Sequence, residues 1–237
     1  MTRLAWLTGD EPPDWFPPVT EALQDPPGLL AVGGDLSPER LAAAYARGIF
    51  PWYSEGEPVL WWSPDPREVL WPAEFHRSRS LAKRLKRGEF RITHDAAFAE
   101  VIAACAGPRR HAPGTWITAE MREAYIGLHR LGMAHSVECW ADGELVGGLY
   151  GVKSGRVFSG ESMFSRRADA SKAALSWLVE NCPALGIELI DCQMPSGHLR
   201  SLGSRPMPRS QFIEFLASGG RAGAAPAADG GRPPRRA

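Results

Sequence analysis

The sequence predicts an α+β protein: a mostly antiparallel sheet flanked by helices, behind a small and irregular N-terminal domain. Three observations predict it. By residue 72 the chain has used 12 of its 21 prolines and six of its nine tryptophans, and such a segment is hostile to long helices and central strands. Alternating stretches between 134 and 164 are joined by Asp142-Gly143 and Ser154-Gly155, which read as tight turns of an antiparallel meander. Helical periodicity appears before that meander and again after it, so helices pack against a sheet rather than alternating with its strands.

The elements follow in order. Ser37 serves as an N-cap, Pro38 fits a first helical turn and Gly48 ends the helix, with Leu41 to Tyr45 between. Residues 76–87 (HRSRSLAKRLKR) carry six Lys/Arg and no acid. As a helix, this run places Arg79, Lys83 and Arg87 on one stripe and turns Leu81 and Leu85 inward. Phe98, Val101, Ile102 and Cys105 recur at helical spacing, so 95–106 is a helix. Thr118 caps another, with Met121, Tyr125 and Leu128 on one face and Gly132 as its stop. Three strands follow: AHSVECWA, ELVGGLYGV and RVFSGESMF. Residues 169–182 form a helix with Leu175, Leu178, Val179 and Cys182 on one face. IELIDCQ is a buried strand, and 208–217 is a last helix. The domains are expected at 1–65 and 66–217, with a disordered Gly/Ala/Pro/Arg tail over 218–237.

Composition bounds the function. The 237 residues are 44% hydrophobic and 23% charged, near the globular average. Lys plus Arg and Asp plus Glu are 27 each, so a polyanion must be held by a local basic patch rather than by net charge. Cys105, Cys139, Cys182 and Cys192 have neither C-x-x-C nor zinc-finger spacing, which points to a reduced, cytosolic protein without structural zinc. No signal peptide or membrane span is expected. There is no P-loop, G-x-S-x-G elbow or zincin motif, which removes ATP hydrolysis and the common hydrolase sites.

Four features carry candidate chemistry. Asp191 and Gln193 sit at i and i+2 of a predicted strand, so their side chains share one face while Cys192 points to the other; alternatively they begin the following loop. Glu161 lies between Phe158 and Phe164, where a carboxylate has a raised pKa or holds a cation; the plain alternative is an exposed strand residue. Phe50, Trp52, Tyr53, Trp61 and Trp62 either stack on a base and enclose an apolar group or form a small core. The basic run is either a phosphate-binding stripe or a solvated helix face. The sheet order resembles the Gcn5-related acetyltransferases, but the turn that would cradle a coenzyme A pyrophosphate reads RRADAS and has no glycine.

The motifs GLLAVGGDLSPERL, AYARGIFPWYS, LWWSPDPR, GTWIT, LVGGLYGV, FSGESMFS and LIDCQ, in that order over residues 28 to 216, closely resemble the leucyl/phenylalanyl-tRNA–protein transferases of bacteria. The resemblance implies a small N-terminal domain before an acetyltransferase-like domain. It implies transfer of Leu or Phe, and less readily Met, from aminoacyl-tRNA to the α-amine of proteins beginning with Arg or Lys, which marks them for degradation through the N-degron pathway. It implies no ATP, metal or coenzyme A, and a monomer is expected. The family's catalytic residues map onto Asp191, Gln193 and Glu161. Its pocket maps onto Trp52, Trp116, Leu149, Phe158 and Leu175, with Tyr45 and Tyr125 as neighbours. Its tRNA surface maps onto Arg77, Arg79, Lys83, Arg84, Lys86 and Arg87. One departure is MPSGH after DCQ, where Ser196 replaces the family's Asn.

The chemistry so implied is aminolysis of an activated ester. On this reading Gln193 accepts a hydrogen bond from the attacking amine and Asp191 binds the Gln193 amide NH₂ to orient it. Glu161 holds an amino group of donor or acceptor. The rival readings are a coenzyme A-dependent N-acyltransferase and a non-catalytic tRNA-binding module.

Overall fold

The protein is described by a computed structural model over residues 4–107 and 116–218. The expected tail beyond Ser218, and the first two residues of GTWIT, lie outside the described residues.

The proline-rich N-terminal segment forms a sheet after all. Strands β1 (Ala5–Leu7), β2 (Leu29–Gly33), β3 (Phe50–Pro51) and β4 (Leu60–Trp62) lie in the order β1-β2-β4-β3. The expectation of an irregular domain fails because the prolines fall between the central strands: LLAVG and LWW contain none, and Pro51 sits on the edge strand, where a missing N–H is tolerated. Helix α1 (Pro38–Ala46) starts as expected, with the Ser37 hydroxyl accepting from the Arg40 N–H at 3.4 Å.

The remainder builds a seven-stranded sheet. Its elements are β5 (Arg67–Leu70), α2 (Arg79–Lys86), β6 (Arg91–His94), α3 (Phe98–Cys105), α4 (Ala119–Arg130), β7 (Ala134–Ala141), β8 (Glu144–Ser154), β9 (Val157–Ser165), α5 (Ala170–Leu185), β10 (Leu189–Gln193), α6 (Gly197–Ser201), β11 (Arg205–Met207) and α7 (Arg209–Ala217). The strand order is β11-β5-β10-β9-β8-β7-β6. The meander β7-β8-β9 is antiparallel, and Asp142 and Gly143, at φ 54° and 81°, form the turn between its first two strands. Helix α5 carries the chain back so that β10 runs parallel to β9. Thr118 caps α4 by accepting from the Met121 N–H at 3.1 Å. Strands β5, β6 and β11 were not expected. At three or four residues each, they are too short for a period of two to register.

Each sheet face is covered by apolar residues. On one side α1, α3, α4 and the N-terminal sheet pack together around Leu41, Trp61, Ile102, Tyr125 and Tyr150. On the other, α5 and α2 bury Leu81, Leu175, Leu178 and Cys182 against β7, β9 and β10. Helix α7 seals a smaller cluster of Val69, Leu189, Met207 and Phe212.

Candidate active site

The site lies where two neighbouring strands part. Strand β10 pairs with β9 only over Leu189–Asp191 opposite Val157–Ser159. Beyond that point each strand carries a bulge. On β9, Tyr150 faces Ser162 and Gly151 faces Gly160, so Glu161 is the extra residue. On β10, Asp191 faces Val69 and Gln193 faces Glu68, so Cys192 is the extra residue. Bulges re-aim side chains and end pairing, and here they open a cleft. Gly151 is required opposite the first of them: a Cβ there would lie 2.2 Å from the Ser159 carbonyl oxygen.

The second bulge overturns the expected alternation. Gln193 adopts a left-handed backbone, φ 62°, held by its N–H donating to Asp191 Oδ1 at 2.9 Å. Cys192 and Gln193 therefore both line the cleft, whereas Asp191 turns away into the protein. Its carboxylate takes two hydrogen bonds of 2.7 Å from Arg67 Nε and Nη2, and one of 3.1 Å from the Ser159 hydroxyl. Arg67 is itself fully buried, donates Nη1 to the Gly48 carbonyl at 3.1 Å, and lies 4.8 Å from the ring centres of both Phe50 and Phe212. Asp191 thus fixes the backbone of Gln193, not its amide group, and Arg67 is the partner that periodicity missed.

The Gln193 amide is oriented instead by Glu161. Its Nε2 donates to Glu161 Oε1 at 2.6 Å, and the Tyr125 hydroxyl donates to Glu161 Oε2 at 3.2 Å. The hydroxyls of Tyr45 and Tyr125 are 2.5 Å apart. Glu161 is buried, and burial pushes its pKa up to about 7; the Tyr45 and Tyr125 hydroxyls and the Arg67 charge oppose that rise, and the Asp191 charge adds to it. Both tyrosines are held well above 10, first by burial and then by the Glu161 charge. An exposed Glu161 is therefore ruled out. With Oε1 on the Gln193 amide and Oε2 on the Tyr125 hydroxyl, Glu161 braces Gln193.

Beside this network lies a cavity of about 250 Å³ whose walls are mainly apolar. Trp116, Leu149, Phe158 and Leu175 line it, with Glu161 and Gln193 at its polar end. Tyr45 and Tyr125 stand behind Glu161 and do not reach the cavity. Trp52 does not line it either: it sits on the N-terminal sheet, 42% exposed, its ring 5.6 Å from that of Trp62. Leu178, Ile190 and His198 were missed as lining residues; Leu178 was legible, since it shares a helix face with Leu175. Ser196 also lines the cavity, and its hydroxyl caps α6 by accepting from the Leu199 N–H at 3.1 Å.

The basic run forms α2 with Leu81 buried, as its pattern implies. Not all of its cations are free. Arg77 pairs with Glu180, Arg84 with Asp169 at 3.5 Å and Glu89 at 3.7 Å, and Arg87 with Glu89 at 3.5 Å. Arg79, Lys83 and Lys86 are exposed and make no ion pair among the described residues. No helix among the described residues is long and apolar enough to cross a membrane.

Two family models match the chain: the leucyl/phenylalanyl-tRNA protein transferase model over residues 69–217, and the N-terminal domain model of the same family over 34–65. The leucyl/phenylalanyl-tRNA–protein transferase of Stutzerimonas stutzeri is 60% identical over 214 residues, covering 90% of this chain and 94% of the relative. That of Aromatoleum aromaticum is 60% identical over 215 residues, covering 91% of this chain and 90% of the relative. Among solved structures, a GCN5-related N-acetyltransferase from Kribbella flavida overlaps with a TM-score of 0.37 and 14% identity, over 72% of this chain and 61% of that one.

Proposed function

The chain belongs to the leucyl/phenylalanyl-tRNA–protein transferase family, and from that premise we propose that it joins Leu or Phe to the N-terminal α-amine of cytoplasmic proteins beginning with Arg or Lys, as a mark for N-degron degradation. The observation that carries this reading is an apolar cavity ending on an amide, Gln193, whose orientation is imposed by Glu161. The apolar walls take the Leu or Phe side chain, and such a pocket discriminates by size, with one methylene worth about 1–3 kcal/mol. Met therefore leaks through.

The donor is an ester and arrives activated. Because Gln193 Nε2 is committed to Glu161, its Oε1 is left to accept a hydrogen bond from the attacking α-amine. That amine has an ordinary pKa of about 7.7–8.0 and is partly neutral at pH 7. Attack forms the C–N bond and breaks the bond to the ribose oxygen. The amine's proton ends on that oxygen, carried by water or the neighbouring 2′-hydroxyl, since a neutral amide is too weak a base to take it. Most of the acceleration on this view is positioning of two bound partners. Asp191 acts through the Gln193 backbone, and Arg67 acts through Asp191. The exposed cations Arg79, Lys83 and Lys86 meet tRNA phosphates, with Arg77, Arg84 and Arg87 beside them.

The test is to incubate the protein with labelled leucyl-tRNA and two peptides, one beginning with Arg and one with Ala, without ATP or coenzyme A. Label moving only to the Arg peptide is the expected result. Bound leucyl-tRNA with no transfer would overturn it in favour of a tRNA-binding module.

A further inference from the structure

At the sheet edge away from the cleft, three metal-ligating side chains converge. His94 ends the edge strand β6, Asp95 follows it, and His135 lies near the start of the neighbouring β7. Asp95 adopts a left-handed backbone, φ 54°, which turns its carboxylate back toward the β6–β7 ladder. Its Oδ2 lies 2.7 Å from His135 Nδ1 and 3.4 Å from His94 Nε2, while Oδ1 accepts the Ser136 N–H at 2.8 Å. One donor atom from each of the three residues lies within 4.8 Å of the other two.

We propose that His94, Asp95 and His135 bind a divalent transition-metal ion of the zinc class. Two imidazoles and one carboxylate are a donor set zinc favours, at about 2.0–2.2 Å per bond and so about 3.3 Å between ligands in a tetrahedron. The 3.4 and 2.7 Å separations from Asp95 Oδ2 lie on either side of that value, and all three donor atoms fall within 4.8 Å of one another. The supporting contacts also fit. The Ser136 N–H holds Oδ1, leaving Oδ2 as the ligand atom. The His94 ring is held between those of His135 at 5.6 Å and Trp177 at 5.4 Å. A third imidazole, His129, stays outside the set: its Nδ1 is 2.9 Å from the Ala134 carbonyl oxygen and its ring lies flat on Phe98.

The ion has a way in. The three side chains are about a quarter exposed, at 27%, 25% and 24%, and a cavity of about 500 Å³ is lined by His94 and His135. That leaves room for a water as the fourth ligand. On binding, the ion takes the place of the hydrogen between His135 Nδ1 and Asp95 Oδ2, and the neutral ring carries its one proton on Nε2. None of the three residues lines the substrate cavity, so the ion ties β6 to β7 and takes no part in transfer.

The experiment uses the full chain without an affinity tag, stripped with EDTA. Zinc is titrated by calorimetry and cobalt by its visible absorption. One equivalent is expected to bind, with visible bands of four- or five-coordinate cobalt, and zinc should raise the melting temperature. His94→Ala should weaken binding at least tenfold and abolish the thermal shift, while leucyl transfer persists. His94→Gln is the milder second variant and should give the same loss. No saturable uptake, or uptake unchanged in both variants, would overturn the site.

Discussion

Replacing Asp191 with Ala leaves the Arg67 guanidinium buried without its counter-charge. The structure sets the size of the effect. Both side chains are 1% exposed or less, they share two bonds of 2.7 Å, and the guanidinium packs 4.8 Å from the ring centres of Phe50 and Phe212. Breaking a buried pair by removing one partner costs about 3–5 kcal/mol, because the remaining charge stays in a dry place. For a chain of this size that corresponds to about 6–20 °C in melting temperature. Urea unfolding should show a lower midpoint with an unchanged slope. A companion, Arg67→Met with Asp191→Leu, removes both charges and should recover most of that loss, since apolar replacement of a buried pair is often neutral or better. Its transfer activity should stay low, because the Gln193 N–H still lacks its acceptor. A loss under about 1 kcal/mol in the single variant, or no recovery in the double, would refute the reasoning.

Three other outcomes follow from the site. Glu161 has a pKa of about 7 when folded, against a usual value of 4.5. Between these two pH values the folded chain holds a proton that the unfolded chain has released, so this group makes stability fall as pH rises, by about 3 kcal/mol in all. Glu161→Gln should remove that slope in urea melts compared at pH 4.5 and 8. Gln193→Ala should lower single-turnover transfer by about 10²-fold through lost positioning of the amine with leucyl-tRNA affinity unchanged, and wild-type turnover would take Gln193 out of the mechanism. Lys83→Ala with Lys86→Ala should weaken tRNA binding and reduce the salt slope by about 0.7–0.9 for each phosphate no longer neutralised. Filter binding at several salt concentrations would check it, and an unchanged slope would count against α2 as the phosphate surface.

Local chemistry was legible where it alone decides structure. Asp142-Gly143 makes its turn because few dipeptides favour two positive φ angles, and Thr118 caps α4 through its own hydroxyl. What escaped depends on contacts between distant residues. The Arg67–Asp191 bond spans 124 positions, and nothing in REVL announces that its arginine is buried. Gln193 could not be placed by alternation, because alternation fails where a strand bulges. Trp52 was mapped to the pocket by the family motifs, and its ring packs on Trp62 outside this cavity. Leu149, Phe158 and Leu175 were named through family motifs, and the seven-stranded sheet then gathers them around one cavity.

The two bulges change what counts as a conservative alteration in this protein. A strand that loses its extra residue regains perfect pairing, and by every local measure improves as a strand. Deleting Cys192 would let Gln193 take the place of a regular ladder residue, and the equivalent loss in 160–162 would move Glu161 out from between Tyr125 and Gln193. The fold would survive and the site would not. Among related sequences the number of residues between Phe158 and Phe164, and between Leu189 and Ser196, is therefore a sharper mark of a working site than the identities along those stretches. A relative that keeps every named side chain but counts one residue short has kept the parts and lost their aim.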